Sequence, residues 1–239
     1  MFVSGIQRRP WVWGAVLCVC AVAGAPDVFA TVQHVKKRAA HSKSSALSGV
    51  LHYQTKMLKP TVHHELAIAQ IESMSGFNRN GTWQNPGLTV GAHELKTDFQ
   101  IAGTQRTDQK SVRVWLDSLD VVFQYSALDV YVANDYAEGS CESAQILLHE
   151  MEHVKVHQRL YAKYSAELRK VLTTMKLPTR RAPVSYASLS VAQRDLSARL
   201  KASTQGVYAR FKKDLSDENN RLDTVANYRS IQKRCNGWK

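Results

Sequence analysis

The stretch GSCESAQILLHEMEHVKVHQRLYAKYSAELRKVLTTMKLP, residues 139–178, decides how the chain is read. Within it Leu147, Met151, Val154, Tyr161, Tyr164, Leu168, Val171 and Met175 return at steps of three and four. That spacing gathers them on one stripe and predicts an amphipathic helix over 142–176. Leu177-Pro178 ends it, because proline cannot donate a backbone hydrogen bond and restricts the residue before it. Residues 178–183 read as a turn, and Ser190 as the N-cap of a second helix. Leu196, Leu200, Val207, Phe211, Leu215 and Leu222 mark the stripe of that helix, with Gly206 as a weak point that could split it. So short a connection sets the two helices antiparallel.

Upstream the period is different. Val112 and Val114, then Val121, Phe123 and Tyr125, then Val130 and Val132 alternate with period two, as in half-buried strands. Asn78-Arg79-Asn80-Gly81 and Asn85-Pro86-Gly87 are turn signals, and a short helix is expected over 65–73. The expected fold class is therefore α+β: a small mixed sheet, then an antiparallel helical hairpin carrying the histidine-rich segment.

The N-terminus reads as a targeting segment. Arg8 and Arg9 precede an apolar run over 11–25, and Val28-Phe29-Ala30 fits a cleavage site, so residues 1–30 read as a signal peptide. The run is too short for a membrane-spanning helix. Residues 31–46 read as a flexible leader. Without residues 1–30 the cysteines left are Cys141 and Cys235, which in an oxidising compartment are expected to form one disulfide. Secretion or periplasmic location follows.

Of 239 residues 44% are hydrophobic and 22% charged, which is a globular and not a disordered composition. Formal net charge is +12. The cations are scattered apart from Lys36-Lys37-Arg38, Arg180-Arg181 and Lys212-Lys213, and no nucleic-acid-binding motif accompanies them. The charge is read as solubility and loose attraction to anionic envelope surfaces.

The chemistry-bearing motif is His149-Glu150-Met151-Glu152-His153. Four residues apart on a helix, His149 and His153 rise from one face and can reach one Zn²⁺ at about 2.0–2.1 Å. Glu150 lies about 100° round the axis from His149 and about 60° from His153. It can approach a water on that metal without itself coordinating, and so act as general base.

A third ligand is needed, and two positions compete. His157 adds an imidazole one turn on, but His149 and His157 are about 12 Å apart along an unbroken helix. The hairpin offers the other position. A turn centred near Ala182 or Pro183 sets His149 opposite residues near 217, where Glu218 follows Leu215 by three and Phe211 by seven. Burying an unpaired carboxylate there would be costly, and a metal would offset that cost. Glu218 is thus the first candidate, with His157 and then Glu167 behind it; a surface pair with Arg159 is the other reading of Glu218. A Cys141–Cys235 bridge would clamp the open end of the hairpin where the zinc sits. His63-His64-Glu65 and His93-Glu94 are weaker candidates for the cleft, and Tyr136 for an oxyanion-stabilising phenol.

The five-residue motif resembles the zincin signature. A glutamate on a following helix is similar to the gluzincin plan of thermolysin-like enzymes, which implies His149, His153 and the later Glu as ligands and Glu150 as base. More closely, Gly139-Ser140-Cys141 before the motif, Asn220-Arg221-Leu222-Asp223-Thr224 and the late Cys235 resemble bacterial secreted proteins described as zinc-dependent proteases. The likeness spans 131–235 and implies a zincin-like metallopeptidase domain over 47–239. The expected function is a secreted zinc metallopeptidase acting on peptide or protein substrates. A non-enzymatic zinc-binding envelope protein and a cell-wall peptide amidase using the same site are the alternatives.

Overall fold

The computed structural model describes residues 50–75, 84–105, 110–236 and 238. The expected signal segment 1–30, the leader 31–46 and the turn at 78–81 lie outside the described residues. In chain order the elements are β1 (Val50–Lys56), β2 (Thr61–His63), α1 (Ile68–Ser75), β3 (Gly87–Gln105), β4 (Val112–Val132), α2 (Cys141–Thr174), β5 (Val184–Tyr186), α3 (Leu189–Leu222) and α4 (Val225–Gln232). The fold is α+β, with a single five-stranded sheet of mixed parallel and antiparallel pairing among the described residues.

The sheet is organised on β4. Strand β3 pairs antiparallel along its whole length, so the other three strands, and one bond from Pro178, must share the opposite edge. There β5 takes 112–114 antiparallel, the Pro178 carbonyl accepts the Leu116 amide at 2.9 Å, β1 takes 118–124 parallel and β2 takes 129–131 parallel. The inward residues of β4 change phase twice, from Val112, Val114 and Leu116 to Leu119, Val121, Phe123 and Tyr125, then to Leu128, Val130 and Val132. Two bulges cause this: Ile101 pairs Leu116 while Gln100 pairs Ser118, and His93 pairs Tyr125 while Ala92 pairs Ala127. Each extra residue, Asp117 and Ser126, restores the apolar side chains to one face where an unbroken ladder would turn them outward.

Onto that face pack α2 and α3. Leu160, Leu168 and Leu172 of the first and Leu196, Leu200, Phe211 and Leu215 of the second share one buried cluster with Val121, Phe123 and Val130. Each helix starts on a serine. Ser140 Oγ accepts the Ser143 amide, and Gly139 at φ 79° lets the chain turn into the helix. In α3 the cap is Ser188, which accepts the Val191 amide at 3.3 Å, and not Ser190 as expected; the helix starts one residue before Ser190. Gly206 does not split α3: the helix runs through it, and an added methyl there would meet nothing nearer than an Arg210 nitrogen at 3.9 Å.

Along the two helices the partners descend in α2 as they ascend in α3: Glu167 with Arg210, Lys163 with Asp214, Arg159 with Glu218. Helix α4 returns toward the start of α2, where Cys235 is bonded to Cys141 across 94 residues. Closing so long a loop restricts the unfolded chain. Replacing both cysteines by serine is expected to lower the unfolding free energy by about 2–5 kcal/mol, read by denaturant titration. A pair of identical curves would show that the bridge adds nothing.

Candidate metal centre

The motif lies in the first half of α2, on the flank turned toward the end of α3. His149, Glu150 and His153 are all buried, at 7%, 2% and 5% exposure. The carboxylate that meets the two imidazoles is that of Asp223, the C-cap residue of α3. Its Oδ1 lies 3.3 Å from His149 Nε2 and 3.0 Å from His153 Nε2, and the two nitrogens are 3.3 Å apart. Ligand atoms at 2.0–2.1 Å from a tetrahedral zinc are about 3.3–3.4 Å from one another. The triangle thus has nearly the size of one face of that tetrahedron, and the three residues could hold a metal ion.

The surrounding side chains aim these donors. His153 Nδ1–H donates to Asn219 Oδ1 at 2.9 Å, which leaves Nε2 to face the centre. Tyr228, from α4, donates to Asp223 Oδ1 at 2.8 Å and sets its ring 4.8 Å from that of His149. Asn219 and Asp223 are one turn apart on α3, continuing the stripe Val207, Phe211, Leu215 with polar residues.

Glu150 lies on the neighbouring flank of α2, against β3. Thr89 Oγ1 is 2.8 Å from its Oε2 and 3.1 Å from its backbone carbonyl. Gly87 and Gly91, two residues to either side on the same face of β3, permit the close approach. A Cβ at Gly87 would lie 2.6 Å from Glu150 Oε1, and one at Gly91 would lie 2.5 Å from His157 Cε1. The segment Gly87-x-Thr89-x-Gly91 was not recognised from sequence, although two glycines spaced by four inside a strand signal close packing.

The expected third ligands sit elsewhere. Glu218 is ion-paired with Arg159, and Glu167 with Arg210. The expected turn is present, with Thr179 and Ala182 hydrogen-bonded to each other, but it does not lead straight into the second helix, and so the register differs from expectation. Pro178 and β5 extend the sheet before α3 begins at Leu189, which moves Asp223 rather than residues near 217 to the level of His149. Nor does His157 join the group: its Nδ1 is 2.8 Å from the Tyr125 hydroxyl in the core, and its Nε2 is buried without a partner. The other candidates are also placed apart. His63 bridges Glu65 and Asp129, His93 Nδ1 meets the Tyr208 hydroxyl, Glu94 meets Lys96 and Gln124, and Tyr136 packs on Trp238.

The charges at the centre are strongly coupled. Burial pushes the Glu150 carboxyl up, against the pull of His153, His149 and Thr89. Burial alone would depress His153, but its hydrogen bond to Asp223 and the Glu150 and Asp223 charges raise it to about 9. Asp223, though its burial acts upward, is held well below the usual carboxylate range by hydrogen bonds from His149, His153 and Tyr228. Burial, with His93 and His153 nearby, pushes His157 down to about 3, so it stays neutral.

No protein-family model, curated protein or solved structure matches the chain.

In the metal-free protein the raised His153 contributes stability that is complete below its unfolded value of about 6.5 and is lost as pH rises through about 9. Asp223, being depressed, contributes above the ordinary carboxylate range and loses that contribution in acid. With chelator present, the unfolding free energy should fall by on the order of 2–3 kcal/mol between pH 6.5 and 9. His153→Gln should remove most of that slope; an unaltered slope would contradict the assignment.

Proposed function

We propose that this chain is a secreted or periplasmic zinc metallopeptidase of the zincin type, with His149, His153 and Asp223 as ligands and Glu150 as general base. The observation that carries this is the triangle of two Nε2 atoms and one carboxylate oxygen, at tetrahedral spacing, beside a buried glutamate one residue from the first ligand. The same reading takes α2 and α3 as an antiparallel hairpin whose open end carries the centre, clamped by Cys141–Cys235; the descending and ascending ion pairs support it.

His149, His153 and Asp223 would hold the zinc with three protein ligands, the number typical of catalytic rather than structural sites. Zinc, when bound, supplies Lewis acidity to the substrate carbonyl and to water. The rest falls to the chain's own groups. Glu150, raised by its burial, accepts the proton of the attacking water and returns it to the departing amine, so that a water is added across the peptide bond. Thr89 fixes one carboxylate oxygen for this exchange. Asn219 and Tyr228 keep His153 and Asp223 aimed at one point. The substrate class is peptide or protein.

The test is zinc content and casein-type cleavage, measured together on four proteins. Wild type should hold about one zinc and cleave. Glu150→Gln should keep the zinc and lose cleavage by at least ~100-fold. Asp223→Ala should lose both, whereas Glu218→Ala should keep both. Cleavage that survives Glu150→Gln would sink the catalytic role, and zinc without hydrolysis in wild type would leave a non-enzymatic zinc protein. Full zinc in Asp223→Ala would overturn the ligand set.

A further inference from the structure

The end of the helix pair away from the metal centre carries a different surface. From 175 to 199 the chain has five cations, Lys176, Arg180, Arg181, Arg194 and Arg199, against one carboxylate, Asp195. Asp195 is already engaged, by the Tyr186 hydroxyl at 2.8 Å and by Arg199 at 3.5 Å. Among the described residues Lys176, Arg180, Arg181 and Arg194 have no carboxylate partner, and all four are exposed. Arg180 lies over the Trp115 ring, 5.9 Å from its centroid.

This surface is pinned in shape. Thr179 and Ala182 exchange backbone hydrogen bonds at 3.2 and 3.0 Å, which sets Arg180 and Arg181 at the tip of a tight loop. On one side Pro178 bonds to β4; on the other β5 pairs with it. Two aliphatic side chains flank the cations and remain in solvent, Val184 at 43% and Val191 at 36% exposure. Two arginines on a pinned backbone, with exposed aliphatics three residues from Arg181 and from Arg194, suit an interface that is negative at its surface and apolar just beneath. That is an anionic phospholipid face, to which each nearby cation adds attraction. A soluble polyanion would use the charge and leave the valines in water.

We propose that the 179–184 loop and the first turn of α3 form a docking surface for an anionic phospholipid membrane. Along α2 this loop is about 35–40 Å from His149, so docking would hold the metal centre out from the lipid, toward proteins beside the membrane. The proposal is independent of the peptidase reading.

The test is co-sedimentation of the purified protein with vesicles of phosphatidylcholine alone or mixed with phosphatidylglycerol. All variants begin at residue 31, as the chain would after loss of the expected signal segment, and share residues 31–49, so that any contribution from these is common to them. Wild type should bind the mixed vesicles and not the neutral ones. The double variant Arg180→Ser/Arg181→Ser should weaken that binding roughly tenfold or more, with an unchanged melting temperature. Val184→Ser/Val191→Ser should weaken vesicle binding but leave the affinity for a double-stranded oligonucleotide as it was. Equal binding to both vesicle types, or no effect of the arginine pair, would overturn the proposal. Loss of vesicle and oligonucleotide binding only with the arginines, the valines making no difference, would assign the surface to soluble polyanions instead.

Discussion

The contact between Asp223 and the two imidazoles of α2 joins parts of the chain that are 70 and 74 residues apart, and much of the surrounding architecture serves to hold it. Asp223 closes α3, Thr224 caps α4, and the carboxylate is thereby held at a junction between two helices rather than along either one. The ion pairs from Glu167–Arg210 to Arg159–Glu218 lie along the flank of the helix pair, where each is partly exposed and individually worth little. Register comes instead from Leu160, Leu168, Phe211 and Leu215, buried together on the sheet. The Cys141–Cys235 bridge then prevents α4, and Tyr228 with it, from drifting away from His149.

A second constraint runs through the sheet. Glu150 is buried beside two histidines, a position that would be costly without Thr89 and the opposing imidazoles. It is reachable only because β3 presents glycine, threonine and glycine to α2 at 87, 89 and 91. The same strand meets β4 at the two bulges, which keep three runs of apolar residues on the helix-covered face. The sheet therefore does more than support the helices: it sets how closely the Glu150 side chain packs against β3.

Local patterns were legible in the sequence, and long-range register was not. The helical period of α2, the spacing of His149 and His153, the pairing of Cys141 with Cys235 and three runs of period-two alternation could be read directly, because each depends on near neighbours or on a count of cysteines. That α2 turns Ile146, Leu160 and Leu172 inward while Leu147, Met151, Val171 and Met175 stay partly exposed, and that the three runs form one strand, could not. Nor could the third donor. Its position depends on where α3 starts, and that depends on Pro178 and β5 joining the sheet, which nothing in 178–188 announces. Glu218 matched the stripe by steps of three and seven. The helix itself buries Val207, Phe211, Leu215 and Asn219 in steps of four, leaving Glu218 toward solvent with Arg159. Polar Asn219 on that stripe, with Asp223 one turn later, was the signal to weigh. His157 continued the spacing of His149 and His153, but belongs to the core through Tyr125.

The ligand set is the central claim, and crystals of the zinc-soaked protein measured on both sides of the zinc absorption edge test it most directly. The account predicts one strong anomalous peak inside the triangle of His149 Nε2, His153 Nε2 and Asp223 Oδ1, about 2.0–2.2 Å from each. A peak at the Glu218 carboxylate or at His157, or none between the two motif histidines, would contradict it.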